Sequence, residues 1–177
     1  MPKSLASRLD AMDARRDALL AGLAPRRPER LAFRAGGLGW NALDVVQHLV
    51  LVEEGVVGYA RKKLLAAPQP VPWNGRLKLL ALVALLRSPA RVAAPAAQVI
   101  PAETIPLDVL SARWRAAGTA LRDVVLALPP ERRRSLLFRH PIAGPLDPAG
   151  TLVFVDEHVR HHEAQLGRIA RAPGCPA

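Results

Sequence analysis

The chain has little cysteine and few aromatic residues. One cysteine, Cys175, stands among 177 residues, together with three tryptophans, three phenylalanines and one tyrosine. A single thiol excludes a disulfide framework or a thiolate metal cage within one copy, and it favours a reducing compartment. The scarcity of aromatic rings argues against base stacking as a way of binding nucleic acid.

Long uninterrupted apolar segments are also missing. The strongest apolar run, residues 79–86, is much too short to cross a bilayer. The first residues carry no apolar signal core, and Asp10 and Asp13 follow closely. We therefore expect a cytoplasmic protein without a transmembrane segment.

What the chain does contain is apolar and basic. Half of the residues are apolar, so we expect one folded domain over residues 1–177. The formal net charge is +10, and the arginines are scattered apart from Arg132-Arg133-Arg134. Such a surface can attract nucleic acid or anionic lipid, although an arginine-rich genome would produce the same charge.

Hydrophobic periodicity predicts four main helices. Apolar residues recur at three- and four-residue steps in the first and third helices, and the second is apolar on nearly every side, which is typical of a central helix. Asn41 suits the N-cap of the second helix, and Asp147 with Pro148 suits the start of the fourth. The predicted helices cover about residues 3–23, 41–65, 107–128 and 147–171.

A proline-rich stretch from Pro68 to Pro106 separates the second and third helices. It contains a short apolar helix near residues 77–86, and residues 88–106 could form a lid, a pocket wall or a linker. Strand alternation is weak throughout. The predicted fold class is all-α: an antiparallel four-helix bundle with an additional short helix and a Pro-rich excursion between helices 2 and 3.

The histidines carry the most information about function. His158 and His162 are four residues apart on the last helix and therefore point from one face. A helical wheel places His162 in the apolar stripe and His158 just beside it, with His161 about a quarter turn away. The pair can share one metal ion, and His48 from the second helix could supply a third ligand. Three imidazoles suit zinc, nickel, copper or iron and leave a position open for water, thiolate or substrate oxygen.

The same histidines also have simpler interpretations. A histidine cluster on an arginine-rich helix arises by chance, and His48 in an apolar helix could be a hydrogen-bonded core residue. His140 lies in a turn-like run, where we expect it to bond to the backbone rather than to a metal.

The last helix differs from the known zinc-protease helices. Val159 stands where HExxH requires glutamate, and His161 stands where HxxEH requires it. Peptide hydrolysis is therefore disfavoured. Glu53, Glu54 and Glu157 remain candidate acids or groups that orient a ligand.

Three segments resemble the DinB-like (DinB/YfiT-like) superfamily of four-helix bundles. They are Gly39-Trp40-Asn41 leading to Gln47-His48-Leu49, His140-Pro141 through Gly144-Pro145-Leu146, and the run from His158 to Gln165. The resemblance implies that His48, His158 and His162 bind a divalent metal, often zinc or nickel, and that the protein is a homodimer. Some members of this superfamily resemble thiol-dependent transferases or isomerases, and others resemble hydrolases.

We therefore predict a metal-dependent transferase or hydrolase that acts on a small molecule. Arg139 or Arg160 could hold an anionic substrate, and we expect Trp40 and Trp114 to anchor the core. The alternatives are a noncatalytic helical-bundle binding protein and a basic protein that interacts with nucleic acid.

Overall fold

Six α-helices and one β-hairpin form the framework of the residues that the structure describes. A computed structural model describes residues 4–88 and 97–177. The helices are α1 (Leu5–Leu23), α2 (Pro28–Leu31), α3 (Ala42–Leu65), α4 (Gly75–Arg87), α5 (Leu107–Leu126) and α6 (Pro148–Ala170), and the hairpin strands are β1 (Phe138–His140) and β2 (Gly144–Leu146).

The four long helices α1, α3, α5 and α6 form the four-helix bundle, which confirms the predicted fold class. α3 packs against α5, α6 and β1, while α1 packs against α5 and α6. The predicted central position of α3 is thus confirmed. The additional short helix is also present as α4, and it packs on α6 and β2.

Apolar side chains fill the bundle in two clusters. One surrounds the fully buried Trp114 and includes Leu110, Val46 and Val159. The other contains Leu121 and further residues from α1, α3, α4, α5, the hairpin and α6. The prediction of Trp114 as a core anchor is confirmed, because its side chain is 0% exposed.

Both predicted helix caps are present. The Asn41 side chain accepts from the Asp44 N–H at 2.8 Å, and the Asn41 N–H donates to the Asp44 carboxylate at 2.9 Å. This capping box satisfies two backbone donors at the start of α3. Asp147 accepts from the Gly150 N–H at 2.7 Å at the start of α6.

The hairpin and α2 were not expected from the sequence. Phe138 pairs with Leu146 and His140 with Gly144, where Gly144 adopts a φ of 74°. Strands of three residues are too short to show alternation, and the four-residue α2 lies in the predicted loop. The third predicted helix ends at Leu126 rather than near residue 128.

One described turn of the Pro-rich excursion lies against α3. Residues 97–99 form a 3₁₀ turn in contact with that helix, whereas residues 89–96 of the predicted excursion lie outside the described residues. Among the described residues, no helix has the length and apolar character that spanning a bilayer requires.

Candidate metal centre

Three histidine rings converge between α3 and α6. The Nε2 atom of His158 lies 3.1 Å from that of His48 and 3.1 Å from that of His162. One ligand atom from each ring lies within 4.8 Å of the other two. The structure thus brings together the three residues that the sequence had singled out.

Two of the rings are oriented by carbonyl oxygens on their outer side. His48 Nδ1 lies 2.7 Å from the Val99 backbone oxygen, and His162 Nδ1 lies 2.7 Å from Gln165 Oε1. Because a carbonyl oxygen only accepts, each Nδ1 must donate its proton outward. Each Nε2 of these two rings therefore presents a lone pair to the centre, as in histidines that bind metals.

The inner nitrogens cannot satisfy one another fully. His158 Nε2 carries one proton at most, so in the neutral state it donates to His48 or to His162 but not equally well to both. At least one buried lone pair then faces another nitrogen, which is costly. A cation can accept a lone pair of electrons from each of the three nitrogens, and this set of ligands fits a divalent metal ion.

Burial keeps the three rings in the neutral form that binds metal. His48 and His162 are only 4% and 7% exposed. Burial lowers the pKa of His48, lowers that of His162 to about 3, and lowers that of His158 well below its ordinary value. At neutral pH the lone pairs are therefore free of protons.

Two aromatic rings cover the cluster. The Trp40 ring centroid lies 4.8 Å from that of His48 and 6.3 Å from that of His162, and Phe154 lies 5.5 Å from His158. The prediction of Trp40 as a core anchor is wrong, because Trp40 is half-buried. It directly precedes the N-cap Asn41, and its ring covers the histidines instead of entering the core.

The other two histidines bond to the backbone. His161 Nδ1 donates to the Leu86 carbonyl at 2.7 Å, which joins α6 to the end of α4. His140 Nδ1 accepts from the N–H groups of Ile142 and Ala143, each at 3.1 Å. Burial lowers the pKa of His140 to about 4, so it remains an acceptor at neutral pH. This bonding agrees with the turn role expected for His140.

The candidate acids are held by arginines. Glu53 accepts from Arg16 at 2.8 Å and from Trp114 Nε1 at 2.7 Å. The remaining two also take arginine partners: Glu54 pairs with Arg113, and Glu157 pairs with Arg87. Glu53 thus belongs to the core of the bundle rather than to the histidine cluster.

The candidate substrate arginines lie on exposed faces. Arg160 forms an ion pair with Asp156 at 3.3 Å. Arg139 is exposed on β1, where alternation places it on the opposite face from the buried His140.

Sequence reasoning missed the two groups that orient the rings. Gln165 is three residues from His162, a spacing that brings side chains together on a helix, so it could have been identified. Val99 is 51 positions from His48 and contributes only a backbone oxygen, so no side-chain pattern could have indicated it.

The fold and the site together define a four-helix bundle with a buried three-histidine cluster. Residues 8–166 match the family model of the DinB superfamily, and the chain belongs to this superfamily. The fold is similar to that of TT2238, a four-helix bundle protein known from a crystal structure. The two superpose with a TM-score of 0.55 at 25% identity, over 93% of this chain and 99% of that one. No curated protein matches the sequence significantly.

Proposed function

We propose that His48, His158 and His162 bind one divalent metal ion, zinc or nickel, through their Nε2 atoms. The observation that supports this most directly is the convergence of the three Nε2 atoms, of which the outer two are 3.1 Å from His158. The carbonyl partners of His48 and His162 support it further, because they direct both lone pairs inward.

We further propose that the protein is a metal-dependent transferase or hydrolase acting on a small molecule. A bound divalent cation would supply a Lewis acid that activates a water molecule or a thiol. The chain's own residues orient and shield that centre: Val99 and Gln165 fix two rings, while Trp40 and Phe154 limit the access of solvent. Because the rings are buried, a small molecule reaches them more readily than a macromolecule does.

Nucleic-acid binding is supported less well. Within residues 4–88 and 97–177, eight arginines are in ion pairs with acidic side chains, which reduces the charge available to phosphates: Arg15, Arg16, Arg34, Arg87, Arg113, Arg115, Arg122 and Arg160. A homodimer, a cytoplasmic location and a single domain over residues 1–177 complete the proposal.

Metal analysis of the purified protein tests the site. We expect about one zinc or nickel ion per chain after supplementation and dialysis. His48→Ala should abolish stoichiometric binding, because two imidazoles remain. His161→Ala is the matched control and should retain the ion, because His161 donates to Leu86 outside the cluster. Preparations loaded with cobalt should develop a thiolate charge-transfer band when a small thiol is added, because an open coordination position lets the thiolate bind the metal.

Two results would contradict the proposal. One is the absence of stoichiometric metal from the parent protein even after supplementation. The other is equal metal content in the parent protein and in His48→Ala. A cobalt spectrum that thiols leave unchanged would count against the transferase or hydrolase role while leaving the metal site intact.

A further inference from the structure

The outer face of α4 is apolar and exposed to solvent. Leu77 and Leu80 are 60% and 64% exposed, and Ala81 and Ala84 are also exposed. These four positions follow the spacing of one helix face, and we call them the outer stripe. Trp73, in the turn that leads into α4, is 87% exposed. Exposed apolar side chains in a continuous group mark a surface that contacts something apolar.

The inner face of α4 is firmly docked on the bundle. Leu82 and Leu86 are buried, and the helix packs on α6 and β2. A Cβ added at Gly75 would lie 3.0 Å from the Val71 side chain and 3.4 Å from the Pro145 carbonyl oxygen of β2, so the start of α4 lies close against the hairpin. His161 also donates to the Leu86 carbonyl. The outer stripe is therefore presented on a fixed helix.

Basic residues border the outer stripe on both sides. On a wheel of about 100° per residue, Arg76 and Arg87 lie at one edge and Lys78 lies beyond the other. α4 contains no acidic residue. Arg87 pairs with Glu157, whereas the whole chain carries a formal net charge of +10. The apolar stripe thus lies within a positively charged border.

We propose that this face of α4 binds an anionic lipid surface. An exposed apolar stripe with a tryptophan and flanking basic residues is the composition of helices that lie in the membrane interface. Anionic headgroups would complement Arg76 and Lys78, and acyl chains would cover Leu77 and Leu80. A second copy of the chain fits less well. Two α4 helices packed together would bring their basic residues face to face, and neither helix has an acidic residue to pair with them.

Co-sedimentation of the full chain with lipid vesicles tests this proposal. We expect binding to vesicles of phosphatidylglycerol mixed with phosphatidylcholine, and little binding to phosphatidylcholine alone. Leu77→Asp combined with Leu80→Asp should abolish binding, whereas the matched control Leu126→Asp, on α5, should keep it because Leu126 is exposed elsewhere.

Arg76→Gln and Lys78→Gln should each weaken binding about fivefold, since one basic residue near an anionic surface contributes about 1 kcal/mol. Arg27→Gln, an exposed change at the residue that precedes α2, should have less effect.

Tryptophan fluorescence supplies a second readout. Binding should shift the emission to shorter wavelength. Trp73→Phe should remove most of that shift, because Trp73 is largely exposed whereas Trp40 is half-buried and Trp114 is fully buried. Circular dichroism should show that all variants remain helical. Failure of the parent protein to bind either vesicle, or full binding by the Leu77→Asp/Leu80→Asp variant, would overturn the proposal. A stable dimer that this double substitution dissociates would do the same and would assign the stripe to a second copy.

Discussion

Arg16 reaches the buried carboxylate of Glu53 by passing over α5 at Gly118. A Cβ at Gly118 would lie 2.2 Å from Arg16 Nη1, which is far inside normal contact. The two side chains are only 7% and 2% exposed. Burial raises the pKa of Glu53, and the charge of Arg16 and the Trp114 N–H offset part of this effect. One glycine therefore permits a contact that joins α1, α3 and α5.

Gly118→Ala should destabilise the protein by about 3 kcal/mol, because displacing the guanidinium leaves Glu53 buried without its cation. Gly55→Ala is the matched control. Gly55 is exposed on α3 with nothing within 4 Å of the added Cβ, so alanine should stabilise the helix by up to about 1 kcal/mol. Urea unfolding of both variants measures the difference. Equal stability of the two would show that Arg16 moves aside at no cost.

At the scale of the elements, the start of α6 is fixed by a side-chain cap and a proline. Asp147 accepts from Gly150 N–H at 2.7 Å, and Pro148 occupies the first helical position. Where α6 begins determines the direction in which His158 and His162 point from the helix. Both features were predicted from the sequence, because capping residues act through neighbours only three positions away.

Asp147→Ala should lower the free energy of unfolding by about 1 kcal/mol, since one backbone donor at the start of α6 loses its acceptor. Asp123→Ala serves for comparison, because Asp123 is exposed late in α5 and makes no cap. Its effect should be close to zero. Chemical denaturation of both variants checks the prediction, and an equal loss in the two would indicate a charge effect rather than a capping effect.

The elements that the sequence predicted are those with a strong local signal. The long helices show hydrophobic periodicity over many turns, and the inward position of His158 and His162 follows from the same wheel. The hairpin has only three residues in each strand, and α2 has four, so neither repeats long enough to be recognised. The partners of Glu53 and the carbonyl of Val99 depend on tertiary packing, which periodicity within one segment does not encode.

Across the whole molecule, ion pairs between α1 and α5 offset part of the positive charge. Asp13 lies 2.6 Å from both Arg16 and Arg122, and Arg122 also contacts Asp10. Burial raises the pKa of Asp13, but hydrogen bonds and charge from Arg122 and Arg16 outweigh it and hold the pKa below the ordinary 3.8. The carboxylate thus stabilises the native state in its ionised form.

Stability should decline as the pH falls below the ordinary pKa of Asp13. Folding lowers the pKa of Asp13 below its ordinary value of 3.8. The stabilisation from its ionised carboxylate is therefore complete above pH 3.8 and is lost as the pH falls through the lower native pKa. Asp13→Asn should be less stable at neutral pH and should lose less on acidification to about pH 3. Asp17→Asn is the control, since Asp17 and Arg115 are both mostly exposed. Thermal unfolding across pH measures both; parallel curves for Asp13→Asn and the parent would contradict the assignment.

The histidine cluster joins two parts of the chain that are remote in sequence. His48 and His158 are 110 positions apart, and neither the N-terminal nor the C-terminal half contains all three rings. During synthesis the cluster can assemble only after α6 has emerged and docked beside α3. The cluster therefore forms only when α6 has reached its native position. A chain that terminates before α6 lacks His158 and His162 and cannot form the cluster.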